Sequence, residues 1–215
     1  ISFVGDVLLA RDVERLQRRY GIQYPFAGLP VSSLGVIAAV GNFEAAVRVH
    51  HQPTPIGSVR FSVASTNAAI LPTAGFTHLG LANNHSFDFG PSNFQHTRDV
   101  LSVATFGHPR TVGSSSISYV ELSSETIALI AVNAVGVTVP KEQLQQTLAM
   151  ASECSTRQFV YIHWGEEYRA TATPAQRQLA KTLVAYGADL IVGHHPHVVQ
   201  EIEYIDGVPV LHSLG

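Results

Sequence analysis

Short apolar runs recur along the chain, most of them ending at a turn residue, with stretches of helical spacing between them. Ile1 to Val4 is β-branched or aromatic and breaks at Gly5-Asp6, which predicts a first strand. Arg11 to Tyr20 carries Val13, Leu16 and Tyr20 at helical spacing. Gly21 to Pro30 is turn-rich, and Val31 to Val40 reads as a short helix running into a strand that ends at Gly41-Asn42-Phe43-Glu44. Residues 50 to 57 read as an exposed loop in which His50 and His51 are solvated. Ser65 to Ala74 suits a capped helix, Thr77 to Ala82 a strand, and Asn93 to Thr105 a helix after Gly90-Pro91.

The second half repeats the alternation. Ile117 to Leu122 and Thr126 to Val132 predict antiparallel strands joined at Ser123-Ser124. Lys141 to Ala151 is a polar-faced helix, and Gln158 to Ile162 is a strand. Thr173-Pro174 supplies a cap and a first-position proline for a helix running to Ala185. Leu190 to Val192 is a short buried strand, and Asp206-Gly207 is a strong hairpin signal between Val198–Tyr204 and Val208–His212. The pattern predicts an α/β layered fold with a mixed sheet, and it admits two sheets packed face to face. With no repeat or convincing linker, residues 1–215 read as a single domain with both ends cut inside structure.

Composition narrows the function classes. A net charge of −3, with no basic run, argues against a nucleic-acid partner. No apolar run is long enough to cross a bilayer, though a signal peptide or anchor upstream stays open. The lone Cys154 excludes an internal disulfide framework and reads as a packing residue in or near a helix.

Candidate chemistry sits at the strand ends. Asp6, then Asn42 and Glu44, then Asn84 and His85, then His163, then His194, His195 and His197 each follow an apolar run. Any one alone is ordinarily a cap, a turn or a solvated charge. Five in series point to a metal centre, with a merely polar pocket as the alternative. Carboxylate, amide oxygen and imidazole suit a divalent ion such as Mn²⁺, Fe²⁺ or Zn²⁺. His195 and His197, two apart, would share a side of an extended backbone, leaving His194 facing away.

Phe3-Val4-Gly5-Asp6, Gly41-Asn42-Phe43-Glu44, Leu81 to Gly90, His163 to Tyr168, Gly193 to His197 and Val210 to Gly215 resemble, in order, the motifs of the CapA family. These are bacterial capsule (poly-γ-glutamate) synthesis proteins. That family is in turn similar to the calcineurin-like metallophosphoesterases. The resemblance implies a four-layer α/β/β/α sandwich with mixed sheets and a one- or two-metal site at the strand ends. It implies Asp6, Glu44, Asn84, His163, His195 and His197 as ligands, and His85 as the histidine that contacts substrate or leaving group.

Asp88 then reads as the residue holding the His85 ring, or as a turn residue. Glu167 reads as a base or orienting group. Arg11, Asn42 and His194 read as substrate-side or supporting groups. The pattern departs from the phosphoesterases at Leu8, where a histidine would stand, and at Glu44, which replaces a bridging aspartate; both weaken a second ion. Two readings follow. One is a metal-dependent hydrolase acting on a cell-surface polymer such as poly-γ-glutamate or on a phosphoester. The other is a non-catalytic module that binds the polymer beside a membrane-bound synthase. The family implies a place at the cell surface or membrane, through an anchor outside this chain.

Overall fold

A computed structural model describes residues 1–28 and 35–215. Strand β8 (Thr126–Asn133) sends alternate side chains into two different cores. Ala128, Ile130 and Val132 face one core, while Ile127, Leu129 and Ala131 face another. Its neighbour β9 (Arg157–His163) divides Val160 and Ile162 from Tyr161 in the same way. A strand buried on both faces reads as a continuous apolar run. Each fully buried Leu or Ile here contributes about 1.5–3 kcal/mol.

Two sheets result. The first has the order β1 (Ser2–Val7), β2 (Ala39–Phe43), β5 (His78–Gly80) and β6 (Ala104–Phe106), all parallel. The second has the order β11 (Ile202–Ile205), β12 (Val208–Leu211), β10 (Leu190–His194), β9, β8 and β7 (Ile117–Glu121). It is parallel in its middle and antiparallel at β11/β12 and β7/β8. Helices α1 (Arg11–Tyr20) and α4 (Pro91–Val100) and the short α2 (Ser65–Ala68) and α3 (Ile70–Ala74) lie on the first sheet's outer core. Helices α5 (Lys141–Ser152) and α6 (Pro174–Ala185) cover the second. Val40, Phe106, Tyr161 and Val192 fill the space between the sheets. This is the four-layer α/β/β/α sandwich that the resemblance implies.

Strong local signals match the structure. Helix α6 starts with a capping box in which Thr173 and Gln176 satisfy each other's backbone N–H. The β11–β12 turn has φ of 50° at Asp206 and 83° at Gly207, as the Asp-Gly pair requires. The structure differs elsewhere. Helix α4 stops at Val100, and the end of the helix predicted to reach Thr105 lies in strand β6. The helix expected over Ser65–Ala74 is two short helices with no side-chain cap. A further pair, β3 (Ala46–Arg48) and β4 (Ser62–Ala64), has no counterpart in the sequence pattern. The predicted helix start at Val31 lies outside the described residues. Cys154 is exposed and not a packing residue. His51 is tied down, with Nε2 2.8 Å from Glu14 Oε1 and Nδ1 2.8 Å from Ser62 Oγ.

The sheets are joined at their carboxyl ends. The Leu214 N–H donates to Gly193 O on β10, and the Asp6 N–H on β1 donates to Gly215 O. The Tyr161 hydroxyl crosses the sandwich to donate to Val4 O at 2.6 Å. The segment 213–215 therefore locks the strand carrying Asp6 against the strand carrying His194.

Candidate metal centre

Parallel pairing sets the ligand-bearing strand ends level. Asp6 lies opposite Asn42 in the first sheet, while Asn133, His163 and His194 are in register in the second. The two rows meet at the seam, where His194 Nδ1 is 3.3 Å from Asp6 Oδ1 and His197 Nδ1 is 3.1 Å from Asp6 Oδ2. Placing a site at the carboxyl ends of parallel strands is the usual solution of α/β folds.

The ligand-type nitrogens and oxygens, all but that of Glu167 on buried or half-buried residues, converge in overlapping sets. Asp6, His163 and His194 form one; Glu44, His163 and His195 a second; Asp6, Glu44 and His197 a third; Glu167, His195 and His197 a fourth. Within each set the ligand-type atoms lie within 4.8 Å of one another. Asn84 joins through its Oδ1, which accepts from His163 Nε2 at 2.7 Å. That bond leaves His163 Nδ1 as an acceptor, so His194 Nδ1 donates to it at 2.8 Å, and His194 Nε2 is bare. Among the described residues, five buried side-chain atoms lack any hydrogen-bond partner. Three of them are here: Glu44 Oε1, His194 Nε2 and His195 Nδ1. Buried polar atoms are normally paired, and Glu44 and His195 fall in one set with His163, so their two bare atoms fit a cation held there.

The electrostatics agree. Burial alone would raise the Asp6 carboxyl, but hydrogen bonds from His194 and His197 and the adjoining imidazole charge outweigh it and hold Asp6 well below the usual carboxylate range. Glu44 goes the other way. Burial, with Asp6 close by and Glu167 and Asp88 beyond, pushes it up to about 9. Burial, reinforced by His194, pushes His163 well below the ordinary imidazole value. Burial, reinforced by His197, lowers His195 to about 4. His197 is raised, chiefly by its bond to Asp6. Two adjacent carboxyls, one of them protonated, and the imidazoles of His163 and His195 held neutral are the state that a divalent cation would convert into a ligand set.

The residues expected from sequence are thus brought together, with three changes. First, the chain after β10 is not extended, since His195 has φ of 102° and His197 of 55°. His194, the last residue of β10, does not face away but touches both Asp6 and His163, and the turn after it brings His195 and His197 to the same site. Second, Asn42 is fully buried: its Nδ2 donates to Asp6 Oδ1 at 2.8 Å, and its Oδ1 accepts from Asn83 Nδ2 at 3.1 Å. With both ends of its amide engaged it positions Asp6 and is closed to a substrate. Third, Leu8 packs into the outer core of the first sheet, so position 8 offers no ligand.

His85 sits at the rim with Nε2 3.9 Å from Glu44 Oε1 and Nδ1 3.0 Å from Asp88 Oδ2. Asp88 Oδ2 also accepts from the Phe61 N–H at 2.6 Å, and the Phe61 ring lies on His85 with centroids 4.1 Å apart. Arg11 stacks over Phe61 at 5.6 Å and lines a cavity of about 370 Å³ beside α1. Glu167 is exposed at the site's edge. Trp164 is core, donating to His212 O at 2.8 Å. Sequence reasoning missed Asn83, whose Oδ1 accepts from the His85 N–H, the Ser86 N–H and the Ser86 hydroxyl. Its place beside Asn84 after a strand was the available signal.

A model of the family described as bacterial capsule synthesis protein PGA_cap matches residues 1–215. The chain belongs to that family. Two curated relatives agree: the PGA biosynthesis protein CapA of Bacillus subtilis (strain 168), 29% identical over 233 residues, and the capsule biosynthesis protein CapA of Bacillus anthracis, 30% identical over 244. The PGA_cap chain is covered completely in both alignments but spans only 61% and 58% of those relatives. Its fold is that of a phosphatase from Mycoplasma pneumoniae, with a TM-score of 0.67 over 99% of this chain and 70% of that one at 14% identity. A hypothetical protein from Thermus thermophilus gives 0.64 over 99% and 75% at 16% identity. At such identities the likeness shows the fold and nothing finer.

Proposed function

We propose that this PGA_cap domain is a divalent-metal-dependent hydrolase acting on an anionic cell-surface polymer of poly-γ-glutamate kind or on a phosphoester. The observation that carries the reading is the convergence of Asp6, Glu44, His163, His194, His195 and His197 in overlapping sets whose ligand-type atoms lie within 4.8 Å of one another, with Glu44 Oε1 and His195 Nδ1 buried and unpartnered. Asp6, Glu44, His163, His195 and His197, with Asn84 and His194 beside them, would hold one or two ions of Mn²⁺, Fe²⁺ or Zn²⁺ class. A bound ion supplies Lewis-acid polarisation of the scissile group's oxygen and lowers the pKa of water. His85 is the acid: Asp88 takes its Nδ1–H, which leaves Nε2 aimed at the cluster to hold a proton for the leaving oxygen or nitrogen. Glu167 is an outer base or orienting group. The relatives' capsule roles support action at the cell surface, beside a membrane-bound polymer synthase. No helix among the described residues is long and apolar enough to cross a membrane, so attachment would come from elsewhere.

Leu8, packed in the core, favours a second reading. With one imidazole fewer, the site would hold a single ion that binds the polymer without cleaving it. Metal analysis combined with a screen of phosphoester and γ-glutamyl substrates decides between them. Replacement of His85 by Ala should keep the metal and lower turnover by about a hundredfold. No turnover on any substrate by metal-loaded native protein would leave the binding reading, and absence of bound metal would sink both.

A further inference from the structure

Next to the metal cluster lies a second cavity, of about 240 Å³, whose walls include Asn84, Phe87, Asp88, Arg110, Asn133 and Val135. It touches the centre through Asn84, the partner of His163, and touches the acid through Asp88, the partner of His85. Two loops form its far side, and Asn133 at the end of β8 clamps them together. Asn133 Nδ2 donates to Pro109 O at 2.8 Å, and the Val135 N–H donates to Asn133 Oδ1 at 3.0 Å.

The first of those loops is built to present Arg110. His108 Nδ1 accepts from the backbone N–H groups of Arg110 and Thr111, each at 3.2 Å, and lies 2.8 Å from the Thr111 hydroxyl. The His108 ring is wedged edge-on against Phe87 and Phe94, with centroids 5.2 and 5.3 Å apart. The Arg110 guanidinium lies over Phe87 at 5.0 Å. Arg15, Arg18, Arg157, Arg169 and Arg177 each pair with a carboxylate. Arg110, like Arg11, Arg19, Arg48, Arg60 and Arg98, has no carboxylate partner among the described residues, and the one acid in its cavity, Asp88, is engaged by His85 and the Phe61 N–H. An arginine fork held against a ring, with its donors open, is suited to bidentate capture of an oxyanion.

Resting on the metal-site reading above, we propose that this cavity is the site's anion subsite and that Arg110 selects substrates bearing a phosphate or carboxylate beside the scissile bond. The cavity's size admits one such group with a short stem, and its two contacts with the centre place that group within reach of the reacting atoms.

The test uses metal-loaded protein of measured metal content, with inorganic phosphate and glutarate as separate calorimetric probes. R110A should weaken at least one probe by about tenfold or more, and R110K should recover part of it. Dependence with phosphate alone assigns a phosphoester-type group, and with glutarate alone a carboxylate. Unchanged metal content in R110A is part of the expected result. R110A binding both probes within about twofold of the native protein would overturn the proposal. Should the protein hold no metal, the reading above fails, while Arg110-dependent phosphate binding by the metal-free protein would still support the subsite.

Discussion

The backbone N–H of His195 donates to Asp6 Oδ2 at 3.0 Å, so the histidine turn of the second sheet is fastened to the first strand of the first sheet by a single carboxylate. The same carboxylate accepts from Asn42 Nδ2 at 2.8 Å and bonds His197. Asp6 is therefore both a ligand-type group and the link that holds the sandwich together at the site end. Asp6→Ala should abolish metal binding and also lower the stability of the metal-free protein by about 3 kcal/mol, because it strands several buried donors. Urea unfolding in the presence of chelator measures the second effect. Unchanged stability would show that the seam is held elsewhere.

Glu44 gives the proposed metal site a proton to release. At neutral pH its carboxyl, raised to about 9, is protonated in the metal-free protein, and a cation needs it ionised. Metal uptake near neutrality should release protons and tighten as pH rises towards about 9. Titration calorimetry in buffers of different ionisation enthalpy measures the release, and Glu44→Gln should reduce it. The sign for stability runs the other way. A raised carboxyl favours the fold fully below its ordinary value of 4.5, and that advantage is lost as pH climbs through about 9. The metal-free native protein should thus lose stability over that window relative to Glu44→Gln. An identical slope in both proteins would contradict the assignment.

The strand-end series was legible because each ligand-type residue follows an apolar run, and parallel pairing then makes those ends level without further information. What the sequence could not show was the backbone between His194 and His197. An extended reading sends alternate rings apart, but positive φ at His195 and His197 bends the chain so that their rings join that of His194 at the site. Such a conformation is set by tertiary partners, here Asp6, and not by local propensity. The role of Asn42 is hidden for a related reason: an amide after a strand looks exposed until the second sheet covers it. Three-residue strands such as β3, β4 and β6 are too short to show a period of two. Arg110 belongs to no motif, and only its place beside Asn84 and Asp88 gives it meaning.

Asp88 fixes the ring of His85, so its replacement should act on proton transfer more than on binding. Asp88→Asn keeps an oxygen for the Phe61 N–H but no longer offers a carboxylate to His85 Nδ1. Turnover should fall by about tenfold with metal content unchanged. Equal turnover in native and variant protein would make Asp88 a loop-holding residue only.

Gly193 stands just before the histidine turn, where the chain passes between Trp164 and the last strand. A Cβ at that position would overlap the His212 carbonyl oxygen and Trp164 Nε1, which are themselves hydrogen-bonded to each other. Neither can retreat: Trp164 is buried in the outer core of the second sheet, and the His212 N–H is tied to Glu201 O. Gly193→Ala should therefore destabilise by about 3 kcal/mol, at the upper end for overpacking. It should also displace His194 and His195, so metal affinity should fall even at temperatures where the variant stays folded. Thermal melts with and without added metal separate the two effects. The native protein should gain more from metal than the variant does, and equal gains would mean that the close packing at Gly193 serves the fold and not the site.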